Sequence, residues 1–165
     1  MKTPLCDLCG KTTVLCSKCK SNLKQGNITE MDIQVARLLY QINEHYNISE
    51  ASFERAIDLG RTVLILTRGE MGLLIGKDGK VVSELSKFLG KKVRIAEFSG
   101  DLKKTIADVL YPVKLIGINT IYSGGNEIYK VRIQKSRLAE LPMDLVALEN
   151  ILKSLLKNEV RISLE

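Results

Sequence analysis

The apolar positions along the chain change period several times. Met31, Val35, Leu38, Leu39, Ile42 and Tyr46 recur at three-and-four spacing, which predicts a helix over roughly 30–46. Thr29 is placed to cap it, with Asp32 three residues on as a weaker form of the capping box, and Asn47 suits its end. The run Thr62–Thr67 is β-branched and predicts a buried strand. The stretch 51–57 fits both strand alternation and a short helix; a strand turning through Asp58-Leu59-Gly60 is the reading adopted. Residues 70–75 predict a short helix, and Gly76-Lys77-Asp78-Gly79 interrupts it. Val81, Leu85, Phe88 and Leu89 then form a second helical stripe closed by Gly90. Val93 and Ile95 alternate with Arg94 and predict a strand over 92–98.

Residues 101–165 repeat this plan. Leu102, Ile106, Val109 and Leu110 mark a helix that stops before Pro112. Strands are expected over 113–122 and 127–135, joined by Ser123-Gly124-Gly125-Asn126. Sliding the chain on itself by 67 residues, without gaps, sets Leu64 on Val131, Leu66 on Ile133, Leu85 on Leu152 and Leu89 on Leu156. The same shift sets Val93-Arg94-Ile95 on Val160-Arg161-Ile162. Apolar positions recurring in two segments point to a duplicated unit. Chance similarity between two amphipathic α/β segments is the competing explanation.

Composition narrows the class. A chain that is 45% apolar and 27% charged can bury a core. Only 5% is aromatic and there is no Trp, so stacking platforms cannot be the main basis of any RNA binding. No apolar run approaches the roughly 20 residues that span a membrane, and the first residues lack the apolar stretch of a signal peptide. A soluble cytoplasmic protein is expected, with no membrane association. The formal charge of +6 suits a polyanionic partner without selecting one.

Residues 1–24 stand apart. They hold all four cysteines, five Lys and one Asp, with little to form a core. Gln25-Gly26-Asn27 reads as a linker or turn. Cys6-x2-Cys9 and Cys16-x2-Cys19 each suit a tight knuckle that offers two thiolates to one metal ion, with Thr12-Thr13-Val14 as a strand-forming connection. Gly10 stands where a knuckle often needs a backbone without a Cβ. Four thiolates and no His favour one structural Zn²⁺ in a closed site; a four-Cys iron site is the chemical alternative. A disulfide pair finds no support without a secretion signal, and a thioredoxin-like motif needs a surrounding βαβ unit. So short a segment would fold only with its metal. Lys2, Lys11, Lys18, Lys20 and Lys24 surround it, either to meet phosphates or only to keep it solvated.

Gly76-Lys77-Asp78-Gly79 is the sharpest functional signal. It is not a Walker A loop: three residues rather than four lie between Gly72 and Gly76, and Asp78 stands where Mg²⁺ would need Ser or Thr. A Gly-x-x-Gly turn between two helices, inside the order β-α-α-β, is the mark of the KH RNA-binding module. Two glycines allow a nucleic-acid backbone to approach closely. The helix that starts there offers unpaired N–H groups and a positive dipole end. Lys77 and Lys80 add charge, and Ile75 borders the groove. An ordinary helix–helix turn has the same local sequence.

The stretch Gly69-Glu70-Met71-Gly72-Leu73-Leu74-Ile75-Gly76-Lys77-Asp78-Gly79-Lys80, with Leu89-Gly90-Lys91-Lys92-Val93, Glu97-Phe98-Ser99 and residues 106–113, resembles the paired KH domains of NusA-like transcription factors. The archaeal members, little more than two KH domains, are the most similar. The resemblance covers roughly 28–135. It implies an α+β fold of tandem type II KH domains, packed as one rigid unit and preceded here by the small zinc-binding segment. The implied division is 1–24 for that segment, 28–99 for a KH domain with an intact loop, and 101–165 for a degenerate one. It also supports the strand over 51–57. Single-stranded RNA is expected along Ile75, Gly76, Lys77, Asp78, Gly79 and Lys80, with Lys91, Lys92 and Arg94 as a neighbouring basic group.

Two departures stand out. The loop positions of the second repeat fall on Met143-Asp144-Leu145-Val146, where side chains block close approach and Glu140, Asp144 and Glu149 repel phosphate. Asp144 equally suits capping of the final helix. The four-Cys segment is absent from the plain two-KH pattern, and it suits docking on RNA polymerase, a ribosome or structured RNA. The implied role is transcription elongation or termination. The alternative is a ribosome- or RNP-associated assembly protein that binds mainly a protein partner. His45 is the single histidine and no catalytic constellation is visible, so neither an enzyme nor a small-molecule substrate is expected. Lys130, Arg132 and Gln134 alternate with Tyr129, Val131 and Ile133, placing a basic row on one strand face.

Overall fold

Helix α3 (Glu30–Asn43) is fixed at its start by a complete capping box. The Thr29 hydroxyl accepts from the Asp32 N–H at 3.2 Å, and the Thr29 N–H donates to Asp32 Oδ2 at 2.9 Å. The other carboxylate oxygen of Asp32 accepts from the Ala56 N–H at 2.6 Å. One fully buried carboxylate thereby satisfies a helix end and ties that helix to strand β1 (Phe53–Asp58). Burial pushes the Asp32 carboxyl above its ordinary value, against the pull of the N–H donors and of Arg55. Ile33, Val35, Ala36, Leu39 and Ile42 of α3 are buried, a wider apolar face than the predicted stripe.

The computed structural model describes residues 1–69 and 71–165. It divides into two units, Met1–Phe98 and Ser99–Glu165. In the first, β1 pairs antiparallel with β2 (Thr62–Thr67), and β2 pairs parallel with β3 (Lys92–Glu97), giving the sheet order β1-β2-β3. Between β2 and β3 lie the single turn α4 (Gly72–Ile75), a 3₁₀ turn Lys77–Gly79 and helix α5 (Lys80–Leu89). The helix expected over 70–75 is thus seen from Gly72, and Glu70 lies outside the described residues. Ala56, Val63, Ile65, Leu74, Val81, Leu85 and Val93 share one core with α3. Phe88, expected on the buried stripe of α5, is exposed.

The cysteine-bearing segment is part of this core. Leu5, Cys9 and Cys19 are buried in the same cluster. Helices α1 (Asp7–Lys11) and α2 (Ser17–Lys24) follow the first cysteine of each pair, and Thr12-Thr13-Val14 forms bends rather than the expected strand. Residues 25–27 close α2 as a hydrogen-bonded turn, with the Asn27 N–H on the Asn22 carbonyl at 2.9 Å. Gly10 is helical, without a left-handed φ; its missing Cβ instead makes room for the Tyr40 ring.

The second unit follows the same course. Helix α6 (Leu102–Leu110) precedes strands β4 (Leu115–Ser123) and β5 (Asn126–Ile133), a 3₁₀ segment Lys135–Glu140, helix α7 (Leu145–Leu156) and strand β6 (Glu159–Leu164). The order β4-β5-β6 is again antiparallel then parallel. Even the bulges correspond. Glu54 is the extra residue opposite Thr67 and Leu66, and Ile116 is the extra residue opposite Ile133 and Arg132. The ungapped shift needs one correction. Ile65 pairs with Ile95, but the partner of Ile162 is Val131. Strand β5 is therefore offset by one residue less than β6. Since side chains alternate between faces, Leu64 and Val131 do not occupy equivalent positions. No helix among the described residues is long and apolar enough to cross a membrane.

Candidate metal centre and nucleic-acid interface

Cys6 and Cys16 each occupy the position just before a helix, where the first turn favours negative charge. The second cysteine of each pair lies within the helix, so each knuckle turns two sulfurs to one point. The four Sγ atoms all lie within 4.8 Å of one another; Cys6 is 4.0 Å from Cys16 and 3.8 Å from Cys19. Four sulfurs at about 2.3 Å from a tetrahedral ion are about 3.8 Å apart, so the cluster has the size of such a site. The Cys16 N–H donates to Cys9 Sγ at 3.1 Å and the Cys19 N–H to Cys16 Sγ at 3.4 Å. The Cys19 N–H, with the neighbouring thiols, draws Cys16 down to about 6. Although the Cys16 N–H favours the Cys9 thiolate, burial and the surrounding thiols push Cys9 up to about 12, and burial raises Cys19 as well. These four residues can hold a metal ion.

The segment is tied down by groups on α3. Arg37 donates from Nε to the Cys9 carbonyl at 3.2 Å and from Nη2 to the Val14 carbonyl at 3.4 Å. The Tyr40 hydroxyl donates to Asp7 Oδ1 at 2.5 Å, and burial, aided by Asp7, pushes that phenol up to about 12. Lys2 forms a parallel bridge to Ser52, with its N–H on the Ala51 carbonyl at 3.0 Å and its carbonyl receiving the Phe53 N–H at 2.8 Å. Sequence reasoning missed Arg37 and Tyr40, because no spacing rule links a helix residue to a knuckle some 30 positions earlier.

The Gly76–Gly79 turn has an unusual backbone. Gly76 has φ 79° and ψ 168°, a region nearly restricted to glycine. A Cβ there would lie 2.6 Å from Val81 Cγ2 and 2.8 Å from the Val81 nitrogen. Asp78 and Gly79 follow in the left-handed region, at φ 56° and 72°. Gly79, before helix α5, has no side chain to cap it, and among the described residues none is seen to do so. The Lys80 N–H donates to the Lys77 carbonyl, and Lys77, Asp78 and Lys80 are all exposed at this turn. Ile75, at the end of α4, is 36% exposed beside it.

The structure brings Ile75, Gly76, Lys77, Asp78, Gly79 and Lys80 together and sets the other basic candidates apart. Lys91 and Lys92 lie past the far end of α5, and a ten-residue helix is about 15 Å long. Lys91 is held by Asp58 at 2.8 and 2.9 Å. Arg94 is mid-strand, out of phase with the core-facing Val93 and Ile95. In the second unit the helix start is closed: Asp144 accepts from the Ala147 N–H at 2.8 Å and caps α7. Lys130 and Arg161 pair across β5 and β6, while Arg132 lies over Gly117 and reaches Glu165 at 3.4 Å.

No family model matches the chain. Two curated proteins, each named probable transcription termination protein NusA, are similar over part of it. That of Methanococcus vannielii is 30% identical over 73 residues, 44% of this chain and 42% of the relative. That of Methanocaldococcus jannaschii is 38% identical over 55 residues, 33% of this chain and 30% of the relative. The matches thus span less than half the length of either relative. The crystal structure of APE1850 shares the fold, with a TM-score of 0.52 over 76% of this chain and 96% of that one, at 22% identity.

Proposed function

We propose that the chain is a non-enzymatic RNA-binding protein of NusA type, acting in transcription elongation or termination, whose first unit is a KH domain that holds single-stranded RNA at the Gly76–Gly79 turn. The observation that carries this reading is the turn itself. Its backbone admits no side chain at Gly76, and it opens an uncapped helix start flanked by Lys77 and Lys80. A phosphate there meets N–H donors, a helix dipole and two ammonium groups at once. The bases turn toward the apolar border at Ile75, where shape and edge contacts select them. The names of the two similar archaeal proteins support the assignment to transcription. The four cysteines bind one structural Zn²⁺, because a borderline-soft dication with no redox chemistry suits four thiolates at tetrahedral spacing.

A second reading assigns the cysteine-bearing segment to a protein partner such as RNA polymerase or a ribosomal protein. Leu8 and Val14 are 66% and 69% exposed on it, and apolar side chains so placed suit a protein surface better than phosphate. Titration of the purified protein with single-stranded RNA at several salt concentrations separates the two. Phosphate contacts give an affinity that falls steeply with salt, roughly tenfold or more between 50 and 200 mM. Absence of RNA binding at low salt leaves only the protein-partner reading.

A further inference from the structure

Strand β4 is an edge strand, hydrogen-bonded to β5 alone in the order β4-β5-β6. It is nine residues long, and the hairpin it forms with β5 extends past β6, whose pairing begins only at Ile128. Residues 119–127 are exposed on both faces of this arm. A long exposed edge offers a row of unpaired N–H and C=O groups, and proteins usually blunt such edges with charge, shortness or a covering segment.

The molecule contains its own control. Strand β1 holds the corresponding edge of the first sheet and is blunted in all three ways. It is six residues long, it carries Glu54, Arg55 and Asp58, and Lys2 bridges to Ser52 at its start. Strand β4 shares only the bulge, at Ile116 as at Glu54 in β1; it is longer, and among the described residues no segment bridges to it. Residues 115–126 contain no charged side chain in a chain that is 27% charged.

We propose that β4 is a dimerisation strand: two copies of the chain pair antiparallel along β4, joining two three-stranded sheets into one of six. A two-fold axis through Asn119 sets Ile118 opposite Thr120 and Gly117 opposite Ile121, and brings Tyr122 to the bulge at Ile116. Ile121, 42% exposed, comes against Gly117, over which the Arg132 guanidinium of the same sheet lies. Tyr122, 76% exposed, meets Ile116, which lines a cavity of about 250 Å³ with Lys114, Leu115, Gln134 and Arg137. That cavity is large enough for a phenol ring. It offers apolar walls, polar ends for the hydroxyl, and a guanidinium that can lie over the ring. Neutrality argues for a second copy as the occupant. At a two-fold axis a residue meets itself, so a central charge would repel its mate, whereas a foreign strand would select charges to complement its own.

Sedimentation equilibrium of the full chain over a range of concentrations tests this. Pairing of one strand per copy buries little area, so a reversible dimer should appear between about 10 µM and 0.5 mM. Tyr122→Ala should weaken it at least tenfold. Asn119→Lys and Asn119→Asp should each weaken it at least threefold, and an equimolar mixture of the two should associate more tightly than either alone, because only the two-fold register brings position 119 against itself. Circular dichroism of each variant checks that the fold is kept. A wild-type chain that stays monomeric to 0.5 mM overturns the proposal and leaves the edge to a foreign strand. A dimer indifferent to Tyr122→Ala and to the charge pair overturns it equally.

Discussion

Replacing Gly76 and Gly79 separately with Ala should have unequal costs, and the structure sets the order. At Gly76 the backbone lies where non-glycine residues cost about 1–3 kcal/mol. The new Cβ would also sit 2.6 Å from Val81 Cγ2 and 2.8 Å from the Val81 nitrogen. The side-chain methyl can rotate away, but the nitrogen belongs to the first turn of α5 and moves only with the helix. Overpacking of that kind adds about 1 kcal/mol or more, for a total of about 2–4 kcal/mol. At Gly79 the backbone is ordinary left-handed, at φ 72° and ψ 20°, and the nearest atom to a new Cβ is Val82 Cγ1 at 3.8 Å. Only the left-handed strain of about 1 kcal/mol remains there. Urea unfolding followed by circular dichroism measures both, and a unit of this size loses roughly 4–8 °C of melting temperature per kcal/mol. Equal costs at the two glycines would refute the packing argument. The same reasoning selects the variant for RNA work. Gly79→Asp keeps a conformation that Asp tolerates and sets a carboxylate where phosphate would pass. It should lower RNA affinity at least tenfold with a stability loss of about 1 kcal/mol.

Other outcomes follow from the same geometry. Lys77→Ala should weaken RNA binding by about 1 kcal/mol and flatten the salt slope by about one unit, whereas Asp144→Ala should leave RNA affinity unchanged and cost about 1 kcal/mol of stability through the lost cap of α7, read by titration and by urea unfolding. Elemental analysis should find one zinc per chain; its removal by a chelator should loosen 1–24 and uncover the face of α3 that carries Arg37 and Tyr40, read as faster amide exchange in 1–24 and α3, and acid should release the metal because the thiols must stay deprotonated. Asp32→Ala should cost about 2–4 kcal/mol, since the Thr29 and Ala56 N–H groups lose their acceptor. A carboxyl whose folded value is raised gives its stability below the unfolded value and loses it as pH climbs through the raised one. The Asp32 contribution should therefore decline as pH rises from about 3.8, and Asp32→Asn should flatten that part of the stability–pH curve.

The elements that sequence patterning located best were those whose signal is local. The α3 capping box, the Gly90 end of α5 and the alternation of Val93 and Ile95 each depend on neighbours within one turn or one strand. The four sulfurs were equally legible, because two Cys-x2-Cys knuckles close to each other have few other geometries. What escaped was set by distant partners. The segment 1–24 read as coreless because the core that receives Leu5, Cys9 and Cys19 is supplied by α3. Gly10 read as a knuckle glycine when its neighbour is the Tyr40 ring. Lys91 read as part of a second basic group, and only the structure shows that α5 sets it a helix length from the loop and that Asp58 binds it. The one-residue slip in the second sheet was invisible to an ungapped comparison, since apolar residues on both faces of β2 satisfy either register.

The two units follow one plan and finish it differently at a single helix start. Both keep a three-stranded sheet with the same order, the same change of direction and a bulge at the same place. Both run from the central strand through a connection into a helix that returns to the third strand. The difference lies where that helix begins. In the first unit, Gly79 stands before α5 and has no side chain to offer its N–H groups an acceptor. In the second, Asp144 fills the place with its own carboxylate. A helix start can be stabilised from within or by an external anion, but a single set of donors cannot serve both. Capping α7 satisfies its donors from within. Leaving α5 without a side-chain cap forgoes about 1 kcal/mol of capping, and the proposed RNA site draws on the donors that remain there.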